Sequence, residues 1–165
     1  MAEQKIALVV GLGLIGGSVA MALRGFEDYR VIGADRDAHT LDFAAEHHVC
    51  DEVTEHVESV LGRADVVIFA MNPKGIAAQL KAHRDAFKPG AVVTDVGGIK
   101  GAIMEAAQCL PDTVDFIGCH PMAGKETSGI ENAEKTLFEN AHFIITPGEK
   151  SRQEHIDLLW RMGQH

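Results

Sequence analysis

His120 is the residue of this chain best placed to accept a proton from a substrate. It stands in the segment Gly118-Cys-His-Pro121, directly after a predicted strand, and the proline that follows it favours an extended backbone at the histidine. A neutral histidine takes the proton of a substrate hydroxyl while hydride leaves the same carbon. The alternative is a histidine at a strand end that only hydrogen-bonds a loop.

Charged residues in two segments belong to the same candidate site. Lys100 ends the segment Thr94-Asp-Val-Gly-Gly-Ile-Lys and lies in the first turn of a predicted helix, where the helix dipole disfavours a cation. This position favours a lysine that faces an anion at the same helix end, and the alternative is simple solvation. Asp95 ends its strand, where it caps the next helix or orients a neighbour. Lys125 and Glu126 either pair with each other or face a charged substrate.

A glycine loop near the start of the chain has the spacing of a dinucleotide-binding motif. Gly11-x-Gly13-x-x-Gly16 follows a predicted strand and opens a predicted helix, which is the context that this motif requires. The first glycine permits the tight turn, the second lets the backbone approach a pyrophosphate, and the third lets the helix pack closely on the strand. Leu14 and Ile15 begin the helix, whose free amides face the phosphates. The alternative is a plain strand-to-helix turn.

An acidic residue at the end of the second predicted strand indicates which dinucleotide binds. Asp35 follows Gly16 by nineteen residues, where a carboxylate accepts hydrogen bonds from the adenosine ribose hydroxyls. Its charge repels a 2′-phosphate, so the sequence predicts NAD rather than NADP. Arg36 is also a cofactor-contact candidate, because its guanidinium could accept that phosphate if Asp35 turned away.

Two further segments are expected to lie beneath the cofactor. Phe69-Ala-Met-Asn-Pro73 ends a strand, which makes Ala70, Met71 and Pro73 candidates for cofactor contact. Asp95 and Gly97 join them, because an open parallel sheet binds its ligand at the carboxyl ends of its strands. No metal site is predicted among these residues.

The elements that must position these groups alternate along the chain. Apolar runs bounded by turn residues alternate with amphipathic segments, which predicts an α/β fold of the Rossmann type. This fold is a doubly wound, mostly parallel sheet with helices on both faces, and residues 1–165 are expected to form a single dinucleotide-binding domain. The predicted strands are 5–10, 30–34, 52–54, 65–70, 91–95, 115–118 and 143–146. The predicted helices are 14–25, 38–47, 57–61, 74–87, 99–109, 132–138 and 151–162.

Composition narrows the class of partner. The 165 residues carry a formal net charge of −9, which argues against nucleic acid or an anionic membrane surface. Three cysteines without metal-ligand spacing favour a reducing cytoplasm. No apolar stretch is long enough to span a membrane, and no signal peptide is expected because the chain enters a strand at Lys5.

Together these motifs resemble the prephenate dehydrogenase family. The matching stretches are Gly11-Leu-Gly-Leu-Ile-Gly-Gly-Ser18, Asp95 to Lys100, His120-Pro-Met-Ala-Gly-Lys-Glu126-Thr-Ser-Gly129, Leu137-Phe138 and Ile144-Ile-Thr-Pro147. The resemblance covers essentially the whole chain. The glycine loop is shared with other dehydrogenases, whereas the segment that contains His120 is far more specific.

The resemblance implies NAD-dependent oxidative decarboxylation of prephenate to 4-hydroxyphenylpyruvate, a step of tyrosine biosynthesis, with arogenate as the alternative substrate. It makes His120 the catalytic base, places Lys100 near a substrate carboxylate and Glu126 at the mouth of the site, and leaves Lys125 as a second anion-binding candidate. Gly98 stands where many members carry a serine that contacts the substrate hydroxyl, so that donor is missing or is replaced by water or another group.

Family members normally continue into a helical C-terminal domain that forms the dimer and supplies a substrate-binding arginine. That domain is expected to be absent from this chain, and a homodimer is a candidate assembly. Two alternatives stay open at this point. One is another NAD(P)-dependent dehydrogenase, such as a β-hydroxyacid enzyme, and the other is a non-catalytic nucleotide-binding module.

Overall fold

The computed structural model describes residues 4–98 and 100–165. Its centre is a six-stranded sheet in the order β3-β2-β1-β4-β5-β6, in which every neighbouring pair is parallel. The strands are β1 (Lys5–Val10), β2 (Tyr29–Ala34), β3 (Glu52–Thr54), β4 (Val66–Phe69), β5 (Val92–Asp95) and β6 (Asp115–Phe116). This order confirms the predicted Rossmann-type fold, whose strand order reverses beside β1.

Helices cover both faces of the sheet. They are α1 (Leu14–Leu23), α2 (Ala38–Glu46), α3 (Glu58–Leu61), α4 (Pro73–Ala82), α5 (Gly101–Ala107) and α6 (Gln153–Gln164). Alternate residues of β1 face opposite sides, so that Ala7 and Val9 pack with α1, α2 and α6 while Leu8 packs with α3, α4 and α5. Among the described residues, each helix is too short or too polar to cross a membrane. The predicted helix 99–109 began at Ile99, which lies outside the described residues.

The predicted strand 115–118 is wrong in one respect that bears on the site. The chain forms β6 in the main sheet and then a separate strand, β7 (Gly118–Pro121), which pairs antiparallel with β8 (Phe143–Thr146). His120 therefore lies within a strand, opposite Ile144, rather than directly after one. A proline donates no ladder hydrogen bond, so Pro121 suits the end of a short two-stranded ribbon.

The predicted helix 132–138 is also wrong. A short 3-10 turn at Ile130–Asn132 is followed by successive turns. Ile130 is buried against α1, and the backbone N–H of Glu134 donates to the Ser18 hydroxyl at 2.9 Å. These contacts with α1 outweigh the helix propensity of Ala133, Glu134 and Lys135, because intrinsic propensity is readily overridden by tertiary contacts.

Candidate active site

The glycine loop has the close backbone contacts that the motif predicts. Gly11 has a φ of +96°, and a Cβ atom added to it would lie 2.5 Å from the carbonyl oxygen of Ala70. A Cβ atom on Gly16 would lie 1.7 Å from the carbonyl oxygen of Gly11. By contrast, a Cβ atom on Gly13 would meet no described atom within 4 Å. Gly11 therefore lets the turn pass close to Ala70 at the end of β4, and Gly16 lets α1 pack closely on the end of β1. The middle glycine borders open space.

The N-terminus of α1 is open to an anion. The helix begins at Leu14 with Gly13 as its N-cap, and none of the described side chains caps it. The first turn carries no acidic side chain, so the free amides at Leu14 and Ile15 keep their partial positive charge. Such a helix end is suited to the phosphates of a dinucleotide.

Asp35 is held in place beside this loop. One carboxylate oxygen accepts a hydrogen bond from the backbone N–H of Leu12 at 2.8 Å, and the other accepts one from the N–H of Asp37 at 2.9 Å. Each oxygen keeps a further lone pair for a ribose hydroxyl. The exposed Arg36 follows directly. Both oxygens are therefore hydrogen-bonded to the backbone, which holds the carboxylate beside the glycine loop.

The residues predicted to lie beneath the cofactor are beside the glycine loop or start the neighbouring helix. The N–H of Ala70 donates to the Val10 carbonyl at 2.8 Å, and Met71 borders the space beside Gly11. Pro73 is the first residue of α4, which Asn72 caps by accepting from the N–H of Gly75 at 2.7 Å. Pro73 therefore starts a helix, where its missing N–H leaves no unpaired donor.

The anion that faces Lys100 in this structure is Asp95. The Asp95 carboxylate is fully buried at the end of β5, and its Oδ2 accepts hydrogen bonds from Lys100 Nζ at 2.6 Å and from the N–H of Gly97 at 2.9 Å. Lys100 Nζ also donates to the carbonyl of Cys119 in β7. Of the two predicted roles for Asp95, orienting a neighbour is therefore the one observed, while Lys100 itself occupies the N-cap of α5.

The imidazole of His120 lies against the loop that follows β5. A Cβ atom on Gly98 would be 3.3 Å from His120 Cε1 and 3.5 Å from Nε2, so the missing side chain at this position leaves the ring uncovered. The ring is half-buried, and its buried Nδ1 has no hydrogen-bond partner among the described residues. An unpaired buried nitrogen is energetically costly in the folded chain.

Lys125 and Glu126 do not pair with each other. Lys125 Nζ forms a salt bridge with Glu134 and donates to the carbonyl of Asn132 at 3.1 Å. Glu126 is exposed in the loop after β7. Lys125 thus ties this loop to the turns that replace the predicted helix, and a role for either residue toward a substrate stays a prediction.

Sequence reasoning did not single out Ser18 or the carbonyl of Cys119. The fully buried Ser18 hydroxyl donates to the Leu14 carbonyl at 2.7 Å and accepts from the N–H of Glu134. It therefore connects the nucleotide helix α1 to the segment that follows His120. Its place directly after the glycine motif was the available signal, whereas a backbone carbonyl leaves no signal in a sequence.

Comparisons with known proteins agree with this fold. The family described as "Prephenate dehydrogenase, nucleotide-binding domain" matches residues 19–164. The prephenate dehydrogenase of Bacillus subtilis is 36% identical over 156 residues, which are 92% of this chain and 42% of that protein. The chain thus spans less than half the length of this curated relative.

Two solved structures share the fold over nearly the whole chain. Prephenate dehydrogenase from Aquifex aeolicus, in complex with hydroxyphenyl propionate and NAD⁺, superposes with a TM-score of 0.87 at 28% identity, covering 99% of this chain and 57% of that one. Arogenate dehydrogenase from Synechocystis superposes with a TM-score of 0.86 at 36% identity, covering 96% of this chain and 55% of that one. The chain belongs to the prephenate dehydrogenase family and corresponds to its nucleotide-binding domain.

Proposed function

We propose that this chain binds NAD and supplies the catalytic base for the oxidative decarboxylation of prephenate to 4-hydroxyphenylpyruvate. The observation that carries the proposal is the position of the His120 ring against Gly98, at the carboxyl end of β5. The glycine loop and Asp35 follow β1 and β2 at the same edge of the sheet. A cofactor bound along that edge would bring its reactive ring toward the histidine.

The described residues fit NAD. The uncapped start of α1 would hold the pyrophosphate, the space beside Gly13 would admit it, and Asp35 would accept the ribose hydroxyls. The tethered carboxylate supports NAD over NADP because it would repel a 2′-phosphate. Titration calorimetry with both cofactors tests this preference, and tighter binding of NADP would contradict it.

His120 would act on the hydroxyl of the substrate ring. When bound, NAD would supply the acceptor for the hydride that leaves the carbon bearing this hydroxyl. The imidazole takes the hydroxyl proton, so that the O–H electron pair forms the new carbonyl. The ring carboxylate then leaves as carbon dioxide, and its bonding electrons make the ring aromatic by moving through it onto the carbonyl oxygen. The resulting phenolate oxygen takes the proton back from the imidazolium. The absence of a side chain at Gly98 leaves more space beside the imidazole for this approach.

The deciding experiment is substrate-dependent formation of NADH. Prephenate and arogenate are supplied in parallel, because the chain is equally identical, at 36%, to a prephenate and to an arogenate dehydrogenase. His120→Asn should keep NAD affinity and lower turnover by about 10²–10⁴-fold, the usual contribution of a general base. Equal turnover by His120→Asn and the wild-type chain would refute the assignment of the base.

The same proposal extends to the domain organisation of the enzyme and to its location in the cell. Residues 1–165 would form one dinucleotide-binding domain, and the family's helical domain would supply the dimer contacts and the arginine for the substrate. The free thiols of Cys50, Cys109 and Cys119 support a cytoplasmic location, since a reducing compartment keeps cysteines unpaired.

A further inference from the structure

We infer that Lys100 is a positioning residue, which holds the backbone beside His120 against the end of β5. This inference rests on the proposed role of His120 as the base. It differs from the role that the family resemblance implies for Lys100, a direct contact with a substrate carboxylate. The structure gives three reasons to prefer the positioning role.

The first reason is that the ammonium of Lys100 already has strong partners. Its side chain is only 17% exposed, and Nζ donates both to the buried Asp95 carboxylate and to the Cys119 carbonyl. A cation so far removed from water requires such partners. A substrate carboxylate would have to compete with a partner that is permanently in place.

The second reason is the location of the carbonyl that Lys100 binds. The Cys119 carbonyl and the His120 nitrogen belong to one planar peptide unit. Fixing the position of this oxygen therefore also fixes the orientation of the peptide plane that precedes the His120 Cα atom. The last described backbone hydrogen bond from this segment to β5 is donated by Ile117 to Val93, at 3.0 Å. After that bond, β7 pairs with β8 rather than with β5. The Lys100 side chain connects β7 to β5 again, because it donates to the Cys119 carbonyl and to the Asp95 carboxylate.

The third reason is that the same contacts reach both sides of the His120 ring. Asp95 binds the N–H of Gly97, and the next residue, Gly98, lies against the imidazole. On the other side, the Lys100 ammonium joins the Asp95 carboxylate to the Cys119 carbonyl, which belongs to the peptide unit of His120. A Cβ atom on Gly118 would lie 3.3 Å from Lys100 Cδ, so the glycine makes room for the lysine stem along β7. Displacing the ammonium should therefore move the ring relative to Gly98.

The test compares Lys100→Met, Lys100→Arg and the control Lys81→Met, which removes an exposed lysine of α4. The imidazole resonances of His120 are followed by NMR in the full chain and assigned with His120→Asn. We expect Lys100→Met and Lys100→Arg to shift these resonances and Lys81→Met to leave them unchanged. Arginine keeps the charge, but its larger planar group does not reproduce the compact ammonium between Asp95 and Cys119. Far-ultraviolet circular dichroism verifies that each variant is folded.

Steady-state kinetics separate positioning from direct substrate contact. A positioning role predicts that Lys100→Met lowers kcat by about 10–100-fold while KM for the anionic substrate changes by less than about 3-fold. Asp95→Asn acts on the same unit, so the double variant should lose little more than the more affected single variant. A raised KM at unchanged kcat, with arginine restoring it, would overturn the inference.

The NMR result is independent of turnover. Equal turnover by His120→Asn and the wild-type protein would contradict the proposed role of His120 as the base, yet displaced His120 resonances in the Lys100 variants would still support the positioning role. Unchanged resonances in a folded Lys100→Arg protein would overturn the positioning role even if the wild-type chain is fully active. Should Lys100→Met fail to fold, the arginine variant decides the question.

Discussion

Two regions of the candidate site are built in different ways. The glycine region, residues 11–16 with Asp35, presents backbone amides and one tethered carboxylate. The histidine region, which comprises Asp95, Gly98, Lys100, Cys119 and His120, depends on which partner each side chain selects. Glycine spacing encodes a backbone shape directly, because each glycine marks a close approach. The position of a lysine in the sequence does not identify its hydrogen-bond partner, because its long side chain can reach any acceptor that the fold brings near it.

Replacement of Gly16 tests whether the glycine region is as tightly packed as the distances indicate. Gly16→Ala forces a methyl group to within 1.7 Å of the Gly11 carbonyl oxygen unless the backbone shifts. We expect NAD affinity to be lost and the free energy of unfolding to fall by about 1–3 kcal/mol. Urea denaturation and calorimetry measure the two effects.

The matched control for this variant is Gly13→Ala, whose methyl group would meet no described atom within 4 Å. This variant should keep its stability and lose only NAD affinity, because the methyl group enters the space that we propose for the cofactor. Equal stability of both alanine variants would show that α1 is not held by a close approach at Gly16.

Removal of the Asp35 carboxylate tests the other half of the glycine region. Asp35→Ala deletes the proposed acceptor for the ribose hydroxyls and the observed acceptor of the Leu12 N–H. NAD affinity should fall by about 10–100-fold, the weight of hydrogen bonds to a charged group, and the preference over NADP should narrow. Asp42→Ala, at an exposed position of α2, is the control and should bind NAD normally. An unchanged ratio of the two dissociation constants would remove Asp35 from cofactor selection.

The stability of the protein at alkaline pH tests how far water is excluded from the histidine region. Burial raises the pKa of the Cys119 thiol from 9.0 to about 11. Between these values the unfolded chain loses the proton while the folded chain keeps it, so stability is complete below pH 9 and declines as the pH rises toward 11. One such group contributes a slope of at most about 1.4 kcal/mol per pH unit.

Urea midpoints measured at several pH values would reveal this decline. In Cys119→Ala the decline in stability should lose the part that comes from this thiol. The remainder is expected from Cys50 and Tyr29, because burial raises the pKa of each of them to about 12. An identical pH dependence in Cys119→Ala and the wild-type protein would mean that the Cys119 thiol is not shielded from water.

The Ser18 hydroxyl offers the mildest test, since it connects the two regions. Ser18→Ala leaves the Glu134 N–H without its acceptor and should lower the free energy of unfolding by about 1 kcal/mol. Amide hydrogen exchange at Glu134 should accelerate, whereas Ser128→Ala, an exposed change in the loop before this segment, should have no such effect. Unaltered exchange at Glu134 would show that other contacts hold the segment on α1.

Much of the architecture was predictable because it follows from local patterns. The apolar runs of β1 and β4 and the breakers between elements predicted the parallel sheet, and the short strand β3 was placed correctly. The two errors, at residues 115–118 and 132–138, concern segments whose structure is decided elsewhere. In the first segment the chain leaves the main sheet after β6 and forms β7, which pairs with β8. The second segment is held on α1 by Ser18 and Ile130. Neither partner is recognisable from the segment itself.

The amino-acid sequence by itself determined the sheet, the glycine loop with Asp35 at its side, and the family to which the chain belongs. These features depend on hydrophobic periodicity, glycine spacing and a specific motif, all of which are properties of short stretches. Only the tertiary structure decided that Lys100 faces Asp95 and the Cys119 carbonyl, and that His120 lies in an antiparallel ribbon against Gly98. The physical reason is that a buried charge takes the partners that folding brings within hydrogen-bond distance, and that distance exists only once β5, β7 and α5 have packed together.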